Sequence, residues 1–227
     1  MDVEKIFNIS SDAEFENLAL EVFRFQYKNV DIYRTYVDLL KVDPNKVMEI
    51  YQIPFLPIQF FKSQQILANG LSPEIEFTSS GTTGSETSRH YVAKVDIYKQ
   101  SYTLGFRHFY GSEQQYCILA LLPAYLERTG SSLVYMVDGL IRQSGNPHGG
   151  FYLNQLNELA AKLQMLDESG QKCLLIGVSF ALLDLAEIHS LRLKNTIVME
   201  TGGMKGRRRE MVRDELHGIL TAAFGVD

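Results

Sequence analysis

Hydroxyls and bare backbone amides gather in one short stretch, FTSSGTTGSETSRHYV, from Phe77 to Val92. Successive N–H groups of a Gly-rich turn form a concavity for an oxyanion, and Ser or Thr adds donors without bulk. A polar hairpin loop is the commoner origin of such composition. The density of Thr and Ser beside Gly81 and Gly84 favours an anion cradle instead. The stretch lacks the Gly-Lys-Ser/Thr ending of the ATPase phosphate loop, and a strand rather than a helix is expected after it. Both features argue against a kinase or GTPase.

Two other stretches could carry chemistry. IGVSFA, Ile176 to Ala181, reads as strand, Gly177-Val178-Ser179, then helix, close to the nucleophile elbow of α/β hydrolases and acyltransferases. Ala181 stands where that motif ends in Gly, and Asp184, His189, Asp214 and His217 all fall on expected helices. No clear Asp-then-His pair completes a triad, and Ser179 is expected to cap a helix. KGRRRE places Lys205, Arg207, Arg208 and Arg209 at an expected helix start, where the macrodipole disfavours cations. Either this is a solvated face softened by Glu210, or an anion belongs there. The five His are scattered with no pair at metal-ligand spacing, so no protein metal site is expected. His90 is expected to be half-buried. Cys117 and Cys173 lie inside the apolar runs YCILALL and KCLLIGV, and are read as buried thiols of a reducing compartment. Strand interiors hide a thiol and disfavour the thiolate, so neither is a good acyl acceptor.

The elements that must hold these residues follow from periodicity. Phe15, Leu18, Val22 and Phe25 recur at helical spacing after Ser11 and Asp12, which can cap, and VDIYRTYVDLLKV continues as a second helix. IPFLPIQFF, with two prolines, is an extended connection packed on the body. EIEFT and SRHYVAK flank the hydroxyl loop as strands. Beyond Asp96, which can cap a helix to about Tyr110, helices alternate with apolar runs. YCILALLP, KCLLIGV and NTIVME are clear strands and GFYL a weak one. The helices between them are TGSSLVYMVDGLIRQ, QLNELAAKLQML capped by Asn154, SFALLDLAEIH and GRRREMVRDELHGILTAAF. The expected fold is α/β: a mostly parallel sheet with helices on both faces, preceded by N-terminal helices. Ligands collect at the carboxyl ends of such strands, so the loops after Pro123, Val178 and Glu200 should share one rim.

Composition bounds the function. The chain has 227 residues, 45% hydrophobic and 22% charged, with a net charge of -5. It is large enough for one substantial core or two small ones. An acidic balance argues against nucleic acid as the main partner. MDVEKIFNIS has no basic start followed by an apolar stretch, so no signal peptide is visible. The longest apolar run, Tyr116 to Leu126, is broken by Pro123 and is too short for a bilayer. A cytoplasmic protein without a membrane partner is expected.

SSGTTGS resembles the pyrophosphate-binding loop of the adenylate-forming enzymes, the acyl-CoA synthetase and luciferase superfamily. METGGMKGRRREMVRDEL resembles the segment of those enzymes where a Gly-Gly at a strand end contacts adenine. Together with IPFLPIQFFKS, ERTGSSLVYMV and LLIGVSFALLDLAE, these stretches are similar to the acyl-protein synthetase (LuxE) family, from about Ile53 onward. The resemblance implies an N-terminal helical segment at 1–52 packed on the body. It further implies an incomplete adenylate-forming N-terminal domain at 53–227. Ser79, Ser80, Gly81, Thr82, Thr83 and Gly84 would bind the β- and γ-phosphates of ATP. Arg89 stands where relatives often carry a Lys just after the loop. Gly202, Gly203 and Met204 would approach adenine, and Tyr125 and Ser179 would lie near the carboxylate or acyl pocket. The bioluminescence members of that family activate a long-chain fatty acid as acyl-AMP and pass it to an enzyme thiol.

In the family a Tyr-Gly-x-Thr-Glu segment, whose Glu binds Mg2+, follows a helix ending like AAFGV. The main Mg2+ ligand is therefore expected beyond residue 227. The implied partners are a carboxylic acid and a thiol on a protein, a carrier protein or coenzyme A. An inactive N-terminal portion that self-associates through an unfinished sheet edge is expected. A serine acyltransferase or hydrolase acting through Ser179, or a non-catalytic nucleotide- or partner-binding module, are the competing readings.

Overall fold

A computed structural model describes residues 3–79, 87–122, 130–204 and 206–226. The chain divides between Leu104 and Gly105 into two compact units. In the first, α1 (Asp12–Asn29) is opened by Ser11, whose hydroxyl accepts from the Glu14 amide at 3.3 Å. The Glu14 carboxylate accepts in return from the Ser10 amide at 2.8 Å, satisfying two donors that a helix start leaves orphaned. Then come α2 (Asp31–Leu39), the short α3 (Phe60–Ser63) and an antiparallel pair, β1 (Ile75–Thr78) and β2 (Arg89–Val92). Leu20, Phe23, Val30, Tyr33, Val37, Val47 and Ile53 form this unit's core. The extended connection is only partly packed: Ile53 is buried, while Phe55 and Ile58 are exposed. His90 has one side of its ring packed edge-on to Phe61 at 5.7 Å, and burial lowers its pKa, in keeping with the half-buried setting expected.

Helix α4 (Val95–Tyr110) runs through the division. Asp96 lies in its first turn, paired to Lys99 at 2.9 Å. The second unit is built on four parallel strands, β3 (Cys117–Leu121), β4 (Gly150–Tyr152), β5 (Cys173–Val178) and β6 (Thr196–Thr201), in the order β4-β3-β5-β6. Between them run α5 (Ser132–Ser144), α6 (Leu156–Glu168) and α7 (Ser179–Ile188), and α8 (Arg213–Phe224) follows. The step from β3 to β4 and the step from β4 to β5 go in opposite directions. Right-handed crossovers therefore put α5 on one face and α6 and α7 on the other. Every residue of β3 and β5 is buried, as a sheet covered on both faces requires. No further strand among the described residues pairs with β6, and Ile197 on it is 38% exposed.

Helix α6 begins after Gln155 rather than Asn154, because the Gln155 side-chain oxygen accepts from the Leu153 and Asn154 amides at 2.9 and 3.2 Å. Helix α8 begins at Arg213, after the basic cluster. A helix starting at Arg207 would set cations on its positive end. As built, Asp214 and Glu215 in its first turn offset the one cation, Arg213, that opens it.

Glu113, in the turn that feeds β3, is buried and accepts from Arg107 Nε at 2.9 Å and Nη2 at 2.6 Å. These hydrogen bonds hold its carboxyl below the usual glutamate range. A carboxyl depressed in the folded state stabilises above its unfolded pKa, about 4.3, and loses that contribution as pH falls through the folded value. At pH 7, Glu113→Gln is expected to cost about 1–3 kcal/mol in thermal or urea unfolding. The gap to the parent should narrow below pH 4.3 or so. A gap independent of pH would mean that packing, not the ion pair, sets the loss.

Candidate functional site

The sheet order creates a switch point. From β3 the chain leaves towards β4, and from β5 it leaves the other way, so the switch point, where ligands of such sheets collect, lies between the carboxyl ends of β3 and β5. The loop after β3, including Tyr125, lies outside the described residues. The loop after β5 is the start of α7. Gly177 lets this junction be tight: a Cβ there would lie 2.6 Å from Leu182 Cδ2 on the next turn. Val178 is the residue before the helix and provides no side-chain cap. Ser179, buried, is therefore the first helical residue and not the expected cap. Its hydroxyl donates to the Glu200 carboxylate at the end of β6. Thr201 Oγ1 donates to the Gly177 carbonyl at 3.4 Å, tying the two strand ends together.

Gly202 and Gly203 follow at once, both exposed, and Met204 turns back into the core at 3% exposure. Gly203 has φ 120°, a region that L side chains avoid. Gly202 is different: a Cβ there would meet nothing within 4 Å. Its bareness answers no packing demand of the described chain. The rim of β5 and β6 thus presents a partly exposed carboxylate, a buried hydroxyl bound to it, and open backbone.

Glu200 was not legible as a site residue, although a carboxylate ending the apolar run NTIVM at a strand's carboxyl end was the signal to follow. It also changes what the rim can bind. A carboxylate at the start of α7 complements the helix dipole and repels a phosphate, so this corner accepts hydrogen bonds instead of cradling anions. The basic cluster beside it is internally satisfied. Arg208 forms ion pairs with Glu187 and Asp184 of α7, its Nη2 donating to Glu187 Oε2 at 2.8 Å and its Nε to Asp184 at 3.0 Å. Arg209 pairs with Glu215, and the Arg207 guanidinium lies 4.8 Å from the centroid of the Phe180 ring. Arg208 holds the Glu187 carboxyl low, and its own proton is bound more firmly by both carboxylates. Lys205 lies outside the described residues. Arg208 fastens the 206–212 segment to α7, while Arg207 and Arg209 stay exposed, as a solvated face requires.

In the other unit, Ser80, Gly81, Thr82, Thr83 and Gly84 lie outside the described residues. Their flanks are described. After the Thr78–Arg89 pair of the β1–β2 ladder, the Ser79 amide donates to the Ser88 carbonyl at 3.0 Å. The Ser79 hydroxyl accepts from the Ser88 amide at 3.1 Å and from its hydroxyl at 2.8 Å. Ser79, expected to hold phosphate, is engaged in closing the loop's neck with Ser88, a residue that sequence reasoning missed. Arg89 is 3.5 Å from Glu76 on the facing strand and remains more than half exposed.

No histidine among the described residues approaches Ser179. His189, which ends α7, bonds Asn157 at 2.9 Å. Cys117 and Cys173 are direct neighbours in the β3–β5 register, free and fully buried. The hydrogen bond from Cys173 to Cys117, followed by burial, pushes the Cys173 thiol well above its ordinary value. Among the described residues no group of His, Cys, Asp and Glu could hold a metal ion, and no helix is long and apolar enough to cross a membrane.

The fold and rim define an α/β protein with a topological switch point between β3 and β5. Comparison with known proteins narrows this: the model of the acyl-protein synthetase, LuxE, family matches residues 6–137, more than half of the chain. The chain belongs to that family. It is 44% identical over 71 residues to a long-chain-fatty-acid–luciferin-component ligase of Photorhabdus luminescens. That match covers 30% of this chain and spans 60% of the relative's length.

Proposed function

We propose that the chain contributes the nucleotide-binding part of an enzyme that activates a long-chain carboxylic acid with ATP and passes the acyl group to a thiol. A carboxylate oxygen attacks the α-phosphorus, the bond to the β-phosphoryl oxygen breaks, and pyrophosphate leaves. A thiolate then takes the acyl carbon and AMP departs. The observation that carries this reading is the pairing of family membership with the rim at Glu200-Thr201-Gly202-Gly203. Gly202 leaves backbone open to a flat base, and Glu200 is an acceptor for an amino group or sugar hydroxyls.

The loop from Ser79 to Gly84 is the phosphate cradle in this reading, with Arg89 beside it, and Met204 backs the base. Charge on departing pyrophosphate is stabilised by preorganised donors instead of a nucleophilic side chain. The described residues offer no cage for Mg2+, so the chemistry of that ion is assigned to none of them. Tyr125 lies on the acyl side, and the acceptor is a thiol of a protein, a carrier protein or coenzyme A. The exposed edge at β6 is the surface through which copies would associate. A cytoplasmic setting suits these partners.

Acyl-dependent ATP–pyrophosphate exchange tests the proposal. Exchange is expected from a chain that also carries the Mg2+-binding segment of the family, and not from Met1–Asp227 alone. In the longer chain Ser179→Ala should retain most of it, since the Ser179 hydroxyl only orients Glu200. Labelling of Ser179 by a fluorophosphonate, with loss of turnover in Ser179→Ala, would overturn the proposal in favour of a serine acyltransferase.

A further inference from the structure

The first unit holds a cavity of about 590 Å3 that the nucleotide chemistry does not use. One stripe of α1, comprising Phe15, Leu18, Ala19, Val22, Phe23 and Gln26, forms a wall, and this stripe spans roughly 16 Å of helix. Ile53, Phe55, Leu56 and Phe61 of the following segment oppose it. Only two lining residues are polar. Tyr33 already donates its hydroxyl to the Pro54 carbonyl at 2.8 Å, which leaves Gln26. No charged side chain lines the space. At the mouth Phe15 is 54% and Phe55 70% exposed, so apolar surface continues outward from the interior.

From this geometry we infer that the N-terminal unit binds one unbranched hydrocarbon chain, the tail of a long-chain carboxylic acid whose carboxylate stays outside the cavity. A cavity of roughly 150 Å3 lined by Leu, Ile and Phe stays dry and takes benzene. This one has about four times that volume, room for roughly two dozen carbons by the same scaling. Apolar space whose one uncommitted polar side chain is Gln26 suits an alkyl tail and rejects a polar ligand. Exposed aromatic rings at the mouth suit the passage of a tail from water. The inference rests on the proposed function for the identity of the acid, but it does not need ATP.

The test is binding of saturated carboxylic acids to the full chain without nucleotide, followed by calorimetry or by displacement of a fluorescent long-chain acid. Affinity should rise about fourfold per added CH2 between octanoic and tetradecanoic acid. Tetradecanol should compete as well as the acid. Val22→Trp should abolish binding with an unchanged circular dichroism spectrum. If that variant misfolds, Phe55→Ser at the exposed mouth should still weaken binding at least tenfold. No saturable binding, or binding with no dependence on chain length or on these variants, would overturn the inference. So would sedimentation with phosphatidylcholine vesicles in place of free-acid binding, or a dimer broken by Phe55→Ser, which would assign the groove to a second copy. Because no ATP is present, lost exchange with retained tail binding would fault only the adenylation reading, and the converse only this one.

Discussion

Thr82→Ala combined with Thr83→Ala is expected to weaken ATP or pyrophosphate binding by roughly a hundredfold to ten-thousandfold. Each lost hydrogen bond to a charged phosphate oxygen is worth about 1.5–3 kcal/mol, and each 1.4 kcal/mol is about tenfold in affinity. Calorimetry on any length of the protein that binds nucleotide measures it directly. Thermal unfolding should be unmoved, because the β1–β2 ladder and the Ser79–Ser88 neck close the loop without either threonine. Unchanged affinity would reduce the stretch to a surface hairpin. Ser79→Ala makes a useful contrast. Its hydroxyl is engaged by Ser88, so its loss should open the neck and weaken binding indirectly.

The second large effect is structural. Gly177→Ala is expected to destabilise the parallel-sheet unit by about 1–3 kcal/mol, the usual cost of overpacking, and Gly177→Val by more. The added Cβ lands 2.6 Å from Leu182 Cδ2 and 2.7 Å from its Cγ, and Leu182 is fully buried with nowhere to turn. For a chain of this size each kcal/mol lowers Tm by roughly 2–4 °C. Leu182→Ala alone should cost about 2–5 kcal/mol through its cavity. The double variant should cost less than the sum of the singles, because the new methyl fills part of the space that the leucine vacates. Strict additivity would mean that α7 shifts bodily away from β5, and in that case the Ser179–Glu200 hydrogen bond should break as well.

Much of the parallel-sheet unit was legible because burial on two faces writes itself as continuous apolar runs. YCILALLP and KCLLIGV contain β3 and β5, NTIVME covers all of β6 but its last residue, Thr201, and even the weak GFYL contains β4. The strand order was not legible. Which neighbour a parallel strand takes depends on which helix covers which face, and no run of residues encodes that locally. The helix at Ser179 was expected, but the partner of its hydroxyl lies 21 residues on, across the strand ends. The ion pairs of Arg208 and Arg209 were hidden for a related reason. Their anions, Asp184, Glu187 and Glu215, sit on other turns of the fold, so both arginines look unpaired in one dimension. Of the expected stripe Phe15, Leu18, Val22 and Phe25, the first three share the apolar face that lines the cavity, and Phe23 rather than Phe25 continues it. Periodicity does not distinguish a face that meets the core from one that walls a cavity.

The order β4-β3-β5-β6 also has a consequence in time. Strand β3 lies between β4 and β5, yet it is made before either, and all five of its residues end fully buried. During synthesis at about 5–20 residues per second, the run from Cys117 to Leu121 waits roughly 3–11 s for its partner β5, beginning at Cys173, to be made. Throughout that interval one edge of an apolar strand is open to any neighbouring nascent chain. Newly made protein should therefore aggregate more readily when elongation stalls between α5 and β5 than when it stalls after β6.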